Sequence, residues 1–173
     1  KPIWQQQYAA LERSGFGIKR LLDRRDPAFV SGGVGVGEGL VLMGTTHGEV
    51  VALDVADGSE RWRTRVGTEV GSAPTTGNGK VYVQTIDDRI SALDADTGAV
   101  AWTYDSQMPL LTLRGTSVPV FDQGVLYSGF ANGKVVALRA ENGEPMWEQR
   151  VMLPEGRSEL DRIVDVDARI ELD

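Results

Sequence analysis

Apolar residues recur along most of this chain in short runs, at the spacing of two that a half-buried β-strand requires. "LVLMGT" at 40 to 45 and "KVYVQTI" at 80 to 86 read as such strands. "RISALDA" follows the second of them after a polar turn at Asp87 and Asp88, and "DADTG" then turns the chain into "AVAWTYD". The glycine closing that turn supplies the positive φ that a tight connection needs. "GNG" at 77 to 79 marks an earlier turn, before which "GSAPTT" reads as the first strand of the unit.

These elements repeat. "GEVVALDVADGSERW" at 48 to 62 returns as "DRISALDADTGAVAW" at 88 to 102 and as "GKVVALRAENGEPMW" at 133 to 147. Ala52, Ala92 and Ala137, Gly58, Gly98 and Gly143, and Trp62, Trp102 and Trp147 hold equivalent places, 40 and then 45 positions apart. A period in that range with one Trp per unit predicts four-stranded antiparallel propeller blades, ordered from an innermost strand A to an outermost strand D that carries the Trp. The fold class is therefore all-β. Residues 28–67, 68–107 and 108–152 form three full blades, and 1–8 the outer strand of a truncated one. Residues 9–27 form a long inter-blade insert, and 153–173 a connection leading into the first strand of a further blade. Pro2 and Pro145 each precede a Trp by two positions, where an edge strand tolerates proline. The tryptophans read as core, each ring packing on the next blade and fixed by the small Ala and Gly of its own repeat.

A functional site should break such a repeat. The departures gather in the connection from strand D to the next strand A. It runs 17 residues from Trp62 to Gly79 and 22 from Trp102 to Gly124, and the five extra fall within "MPLLTLRG". Equivalent connections emerge on one propeller face, which is elaborated while the other keeps short turns. If "LLTLRG" is extended, Leu111 and Leu113 point one way and Leu110 and Thr112 the other. The next connection, "RSELDRIVDVDA", brings Asp165 and Asp167 in the same alternation, within reach of Arg114. Two readings follow: a staple between neighbouring loops, or a protein-binding patch with an apolar centre and charged rim. On the residues alone the staple carries more weight.

Charge and composition narrow the chemistry. With 18 Lys and Arg against 25 Asp and Glu, the net charge of −7 argues against a nucleic-acid partner. Cysteine is absent, which removes disulfides and thiolate sites. His47, the only histidine, has no partner for a catalytic triad. No apolar run approaches the roughly 20 residues of a membrane helix. The basic residues Arg13, Lys19, Arg20, Arg24 and Arg25 read as a solvated loop or short helix. The chain opens on "KPIW" and closes on "RIELD", and reads as a piece of a longer protein or a unit that pairs with another copy, because an open propeller leaves edges uncovered.

With "MPLLTLRGTSVP" at 108 to 119, "SELDRIVDVD" at 158 to 167 and "FVSGGVGV" at 29 to 36 on the page, the sequence resembles the BamB family, outer-membrane lipoproteins of the β-barrel assembly machinery of Gram-negative bacteria. That resemblance implies an eight-bladed propeller, of which this chain is about half, and a noncatalytic scaffold without cofactor or metal. It implies binding to the periplasmic POTRA region of BamA, contact with unfolded outer-membrane proteins, and a lipid anchor at the periplasmic face of the outer membrane as the sole membrane attachment. It places the BamA-contacting leucines and arginine on Leu111, Leu113 and Arg114 and the paired loop aspartates on Asp165 and Asp167, which moves the balance from staple to docking patch. The rival from another class is a fragment of a pyrroloquinoline-quinone-dependent dehydrogenase, which shares propeller and Trp pattern. Such enzymes resemble one another in a vicinal cysteine pair and a calcium site. Here there is no cysteine, and "DVD" is too small a donor set for calcium.

Overall fold

The computed structural model describes residues 30–106, 116–130 and 133–151. Among them every regular element is a strand. β1 (Val30–Gly37), β2 (Leu40–Thr45), β3 (Glu49–Asp54) and β4 (Glu60–Arg65) form the first sheet. β5 (Thr75–Gly77), β6 (Lys80–Gln84), β7 (Arg89–Asp94) and β8 (Val100–Asp105) form the second, and β9 (Val120–Asp122), β10 (Val125–Gly129), β11 (Lys134–Arg139) and β12 (Pro145–Arg150) the third. Each sheet runs in chain order with antiparallel neighbours, as the repeat predicts for propeller blades.

The turns explain why the hairpins close where they do. Glu38–Gly39, Asn78–Gly79 and Gln123–Gly124 each take two consecutive positive φ values, the mirror-image turn whose twist matches that of the flanking strands. In the next hairpin but one, the backbone N–H of Asp94 donates to Ala99 O at 2.8 Å, and the Asp94 carboxylate accepts from the Asp96 and Thr97 amides and the Thr97 hydroxyl. Those Thr97 bonds hold its carboxyl below the usual aspartate range.

Two expectations need correction. "GSAPTT" is a strand only from Thr75, and the equivalent strand of the third sheet starts at Val120. Each begins just after a proline, Pro74 or Pro119, which has no N–H to give the ladder. β1 has no proline and runs for eight residues, with a register shift between Ser31 and Val34.

The second correction concerns the tryptophans. Ala52, Ala92 and Ala137 lie directly across from Trp62, Trp102 and Trp147 in their own sheets. The glycine that receives each ring, however, belongs to the following repeat. A Cβ on Gly98 would stand 2.6 Å from the Trp62 ring, and one on Gly143 would stand 2.5 Å from that of Trp102. Trp62 Nε1 donates to Ala95 O at 2.7 Å and Trp102 Nε1 to Ala140 O at 3.0 Å, so each indole is latched onto the next sheet's outer hairpin. An extra residue in every outer strand (Arg61, Ala101 and Met146) bulges the ladder beside the Trp. Trp62 is 8% exposed and Trp147 47%, because no described sheet follows the third.

The core accordingly lies between sheets. One cluster joins Leu42, Val50, Trp62, Val70, Val83 and Leu93 of the first and second. Another joins Tyr82, Ile90, Leu126, Phe130, Val136 and Leu138 of the second and third, with Trp102, Tyr104 and Phe121 packed against it.

Candidate functional site

The connections from strand D to the next strand A leave their sheets in the same way. Val66 N donates to Gly48 O at 2.8 Å, Ser106 N to Asp88 O at 3.4 Å and Val151 N to Gly133 O at 2.9 Å. In each sheet the acceptor lies in the turn between the second and third strands. All three connections therefore set out from one face, beside that turn.

The first connection, residues 66–74, shows how tightly such a segment is held. Val70 N donates to Thr45 O at 3.2 Å at the end of β2, while Gly71 N reaches Gln84 O at 3.3 Å in the next sheet. Ile86 N donates to Glu69 O at 2.9 Å. Asp87 supplies the loop staple: its carboxylate accepts from the Thr68 hydroxyl at 2.7 Å and from that of Thr85. Burial works against the charge there, but the two hydroxyls more than offset it and Asp87 stays below the ordinary aspartate pKa.

The second connection meets this arrangement at both of its described ends. Ser106 is buried beside the Asp88 carbonyl. Thr116 lies so close to Gly71 that a Cβ on the glycine would come within 2.4 Å of its hydroxyl and 3.0 Å of the Ile86 side chain. Adjacent connections thus touch at the Thr85–Arg89 turn. Further on, the Thr75 hydroxyl donates to Pro119 O at 2.7 Å, tying the re-entering chain to the second sheet's inner strand.

The predicted docking residues Leu111, Leu113 and Arg114 fall between these two ends and lie outside the described residues, as do Asp165 and Asp167 beyond Val151. Of the repeat residues, Ala52, Ala92 and Ala137 lie across from their own sheet's Trp, and Gly98 and Gly143 lie against Trp62 and Trp102. His47 is exposed in the turn between β2 and β3.

A buried polar group beneath the second connection escaped the sequence reading. Gln84, Ser117 and Ser128 are almost wholly inaccessible. Gln84 Nε2 donates to Gly129 O at 3.0 Å, and its Oε1 accepts from Ser128 Oγ at 2.8 Å. Ser117 Oγ donates to Gly129 O at 3.0 Å and accepts from Gly129 N at 2.8 Å. The available signal was a departure from the repeat: Gln84 holds the register position of Gly44 in the first sheet and Gly129 in the third.

A family model described as "Outer membrane protein assembly factor BamB" matches residues 1–173. The outer membrane protein assembly factor BamB of Xanthomonas campestris pv. campestris is 42% identical over 173 residues, which is 100% of this chain and 41% of that protein. The chain belongs to the BamB family. The crystal structure of BamB from Moraxella catarrhalis superposes with a TM-score of 0.79 at 31% identity, covering 84% of this chain and 45% of that one. The chain spans 33% to 41% of the length of the first curated relatives it matches. A quinohemoprotein alcohol dehydrogenase from Pseudomonas putida HK5 matches with a TM-score of 0.57 at 21% identity over 71% of this chain, a likeness of fold alone.

Proposed function

We propose that this chain is the part of a noncatalytic outer-membrane assembly scaffold that docks the periplasmic POTRA region of BamA through its D-to-A connections. Family membership supplies the setting: the family is described as outer membrane protein assembly factors. The observation that carries the docking reading is the shared exit of the three connections beside equivalent turns, because the second of them, five residues longer than the first and rich in leucine, then starts from a face built to hold connections. On this reading Leu111 and Leu113 provide the desolvated anchor, Arg114 a charged contact, and Asp165 and Asp167 the acidic partners on the next connection. The complete protein acts at the periplasmic face of the outer membrane, held there by a lipid anchor, and supports folding and insertion of barrel proteins.

The test is a calorimetric titration of the complete protein with the POTRA region. Leu113→Ala or Arg114→Glu is expected to weaken binding about 30-fold, the effect of losing one hot-spot residue worth about 2 kcal/mol. Unchanged affinity in both variants sinks the docking reading.

A further inference from the structure

We propose that Gln84, Ser117 and Ser128 are positioning residues for the docking segment: a buried hydrogen-bonded node that fixes where the chain enters the third sheet after that segment. This rests on the docking reading above and adds to it residues that touch no partner.

The argument starts from a comparison of equivalent positions. At the first junction the site is filled by hydrocarbon: a Cβ on Gly44 would stand 2.4 Å from the Val70 side chain, so Val70 occupies the space. Ser72, two residues before Pro74, is buried there, and its hydroxyl has no partner among the described residues. At the second junction Ser117 stands two residues before Pro119, counterpart of Ser72, and β6 carries Gln84 at the register position of Gly44. Where the first sheet has a bare glycine, the second thus has a carboxamide, and it is bonded to Gly129 O and Ser128 Oγ.

That exchange changes what holds the connection. Hydrocarbon packing has no direction, so the Val70 side chain fixes no unique position, and the first strap is held in register by its backbone bonds to Thr45, Gln84 and Ile86. The node is directional. Ser117 Oγ is clamped between Gly129 O and Gly129 N, and Gln84 fills the same carbonyl's second acceptor site while it holds Ser128. Displacing Ser117 leaves buried polar groups unpaired in a low-dielectric interior, which is strongly resisted. The chain therefore enters the third sheet at one place, three residues after Arg114. The other end is set by Ser106 at the Asp88 carbonyl. A connection five residues longer than its neighbour gains such roots because its affinity for a partner suffers from every conformation lost on docking.

The experiment uses the complete protein and its Gln84→Met, Ser117→Ala and Leu113→Ala variants, with POTRA affinity and hydrogen exchange measured on each. Gln84→Met keeps length and volume but makes no hydrogen bond. It should weaken binding on the order of tenfold. It should also speed exchange across 107–118 and at the Gly129 amide, with Glu49–Asp54 and Glu60–Arg65 unchanged. Ser117→Ala should do the same, and it adds no atoms should the methionine variant fail to fold. Leu113→Ala should weaken binding without altering exchange. Were Leu113→Ala and Arg114→Glu to bind normally while Gln84→Met still loosened 107–118, the docking reading would fail and the node would stand as a loop anchor alone. Uniformly faster exchange in all three sheets, or no local change in either node variant, overturns the proposal.

Discussion

The junction between the first and second sheets and that between the second and third solve one packing problem with different chemistry. Both use the same latch, an indole from one outer strand seated on the next repeat's glycine with its N–H on a carbonyl three residues earlier. Inward from the latch they diverge. The first junction is aliphatic, with Leu42, Val70 and Val83 filling it. The second places Tyr82 at the position of Leu42, stacks it on Phe121 with ring centroids 5.8 Å apart, and adds the Gln84 node. Gly37 and Gly77 show the same drift: a Cβ on the first would meet Thr76, on the second the Phe121 ring. Repetition thus fixes the outer latch, and the interior is free to specialise where a longer connection has to be rooted.

The shared latch makes the largest prediction. Trp62→Ala and Trp102→Ala should each destabilise the chain by about 3–5 kcal/mol, through lost burial, the cavity and an unpaired carbonyl. Trp147→Ala should cost far less in this chain, since its ring is 47% exposed and meets only Tyr127 in a described ring contact, at 6.1 Å. Denaturant unfolding of the three variants checks the ranking. Equal losses at Trp62 and Trp147 would mean that the latch onto the following sheet is not what stabilises the ring.

Sequence carried the strands, the turns and the repeat, because a period of two and a spaced Trp are one-dimensional signals. It carried the packing of each Trp on the next blade but not which glycine receives the ring. Gly58 and Gly98 are equivalent in every repeat, and only the lateral packing of sheets shows that the Trp62 ring crosses to Gly98. The bulges at Arg61, Ala101 and Met146 were invisible for a similar reason: two residues oppose one across a ladder, a relation between strands. At the candidate site the length of the Trp102 to Gly124 connection was legible as a count. Its anchorage was not, since Gln84 breaks the repeat by a single residue and its partners Ser117 and Ser128 lie far along the chain.

A smaller prediction probes the interior difference directly. Gly44→Ala should destabilise by about 1–3 kcal/mol, because the new methyl collides with Val70 in a junction that has no flexible end to move. Pairing it with Val70→Gly should return part of that loss, since both Val70 side-chain atoms the new methyl would meet, Cγ1 and Cβ, are then removed. A double-mutant cycle in chemical denaturation gives the coupling, and strict additivity would show that Val70 does not fill the Gly44 site.

The smallest effect at neutral pH, and the one that separates the junctions by titration, belongs to Tyr82. Its hydroxyl faces the Gly77 and Ala140 carbonyls at 3.3 and 3.4 Å, and burial, with the charge of Glu38 behind it, pushes its pKa from 10.0 to about 12. A phenol whose proton is held more tightly in the folded state contributes stability that is complete below pH 10 and is lost as the pH rises toward 12. Tyr104 titrates in the same direction, raised by burial and by its hydrogen bond to Glu148, so some alkaline loss persists without Tyr82. Tyr82→Phe should therefore cost about 1 kcal/mol or less at pH 7. Between pH 10 and 12 it should flatten the decline in stability, so that the variant overtakes the parent at the alkaline end. The aliphatic first junction, with Leu42 at that position, should contribute no slope there. Denaturant midpoints across that range decide it, and parallel curves for parent and variant would place the alkaline sensitivity elsewhere.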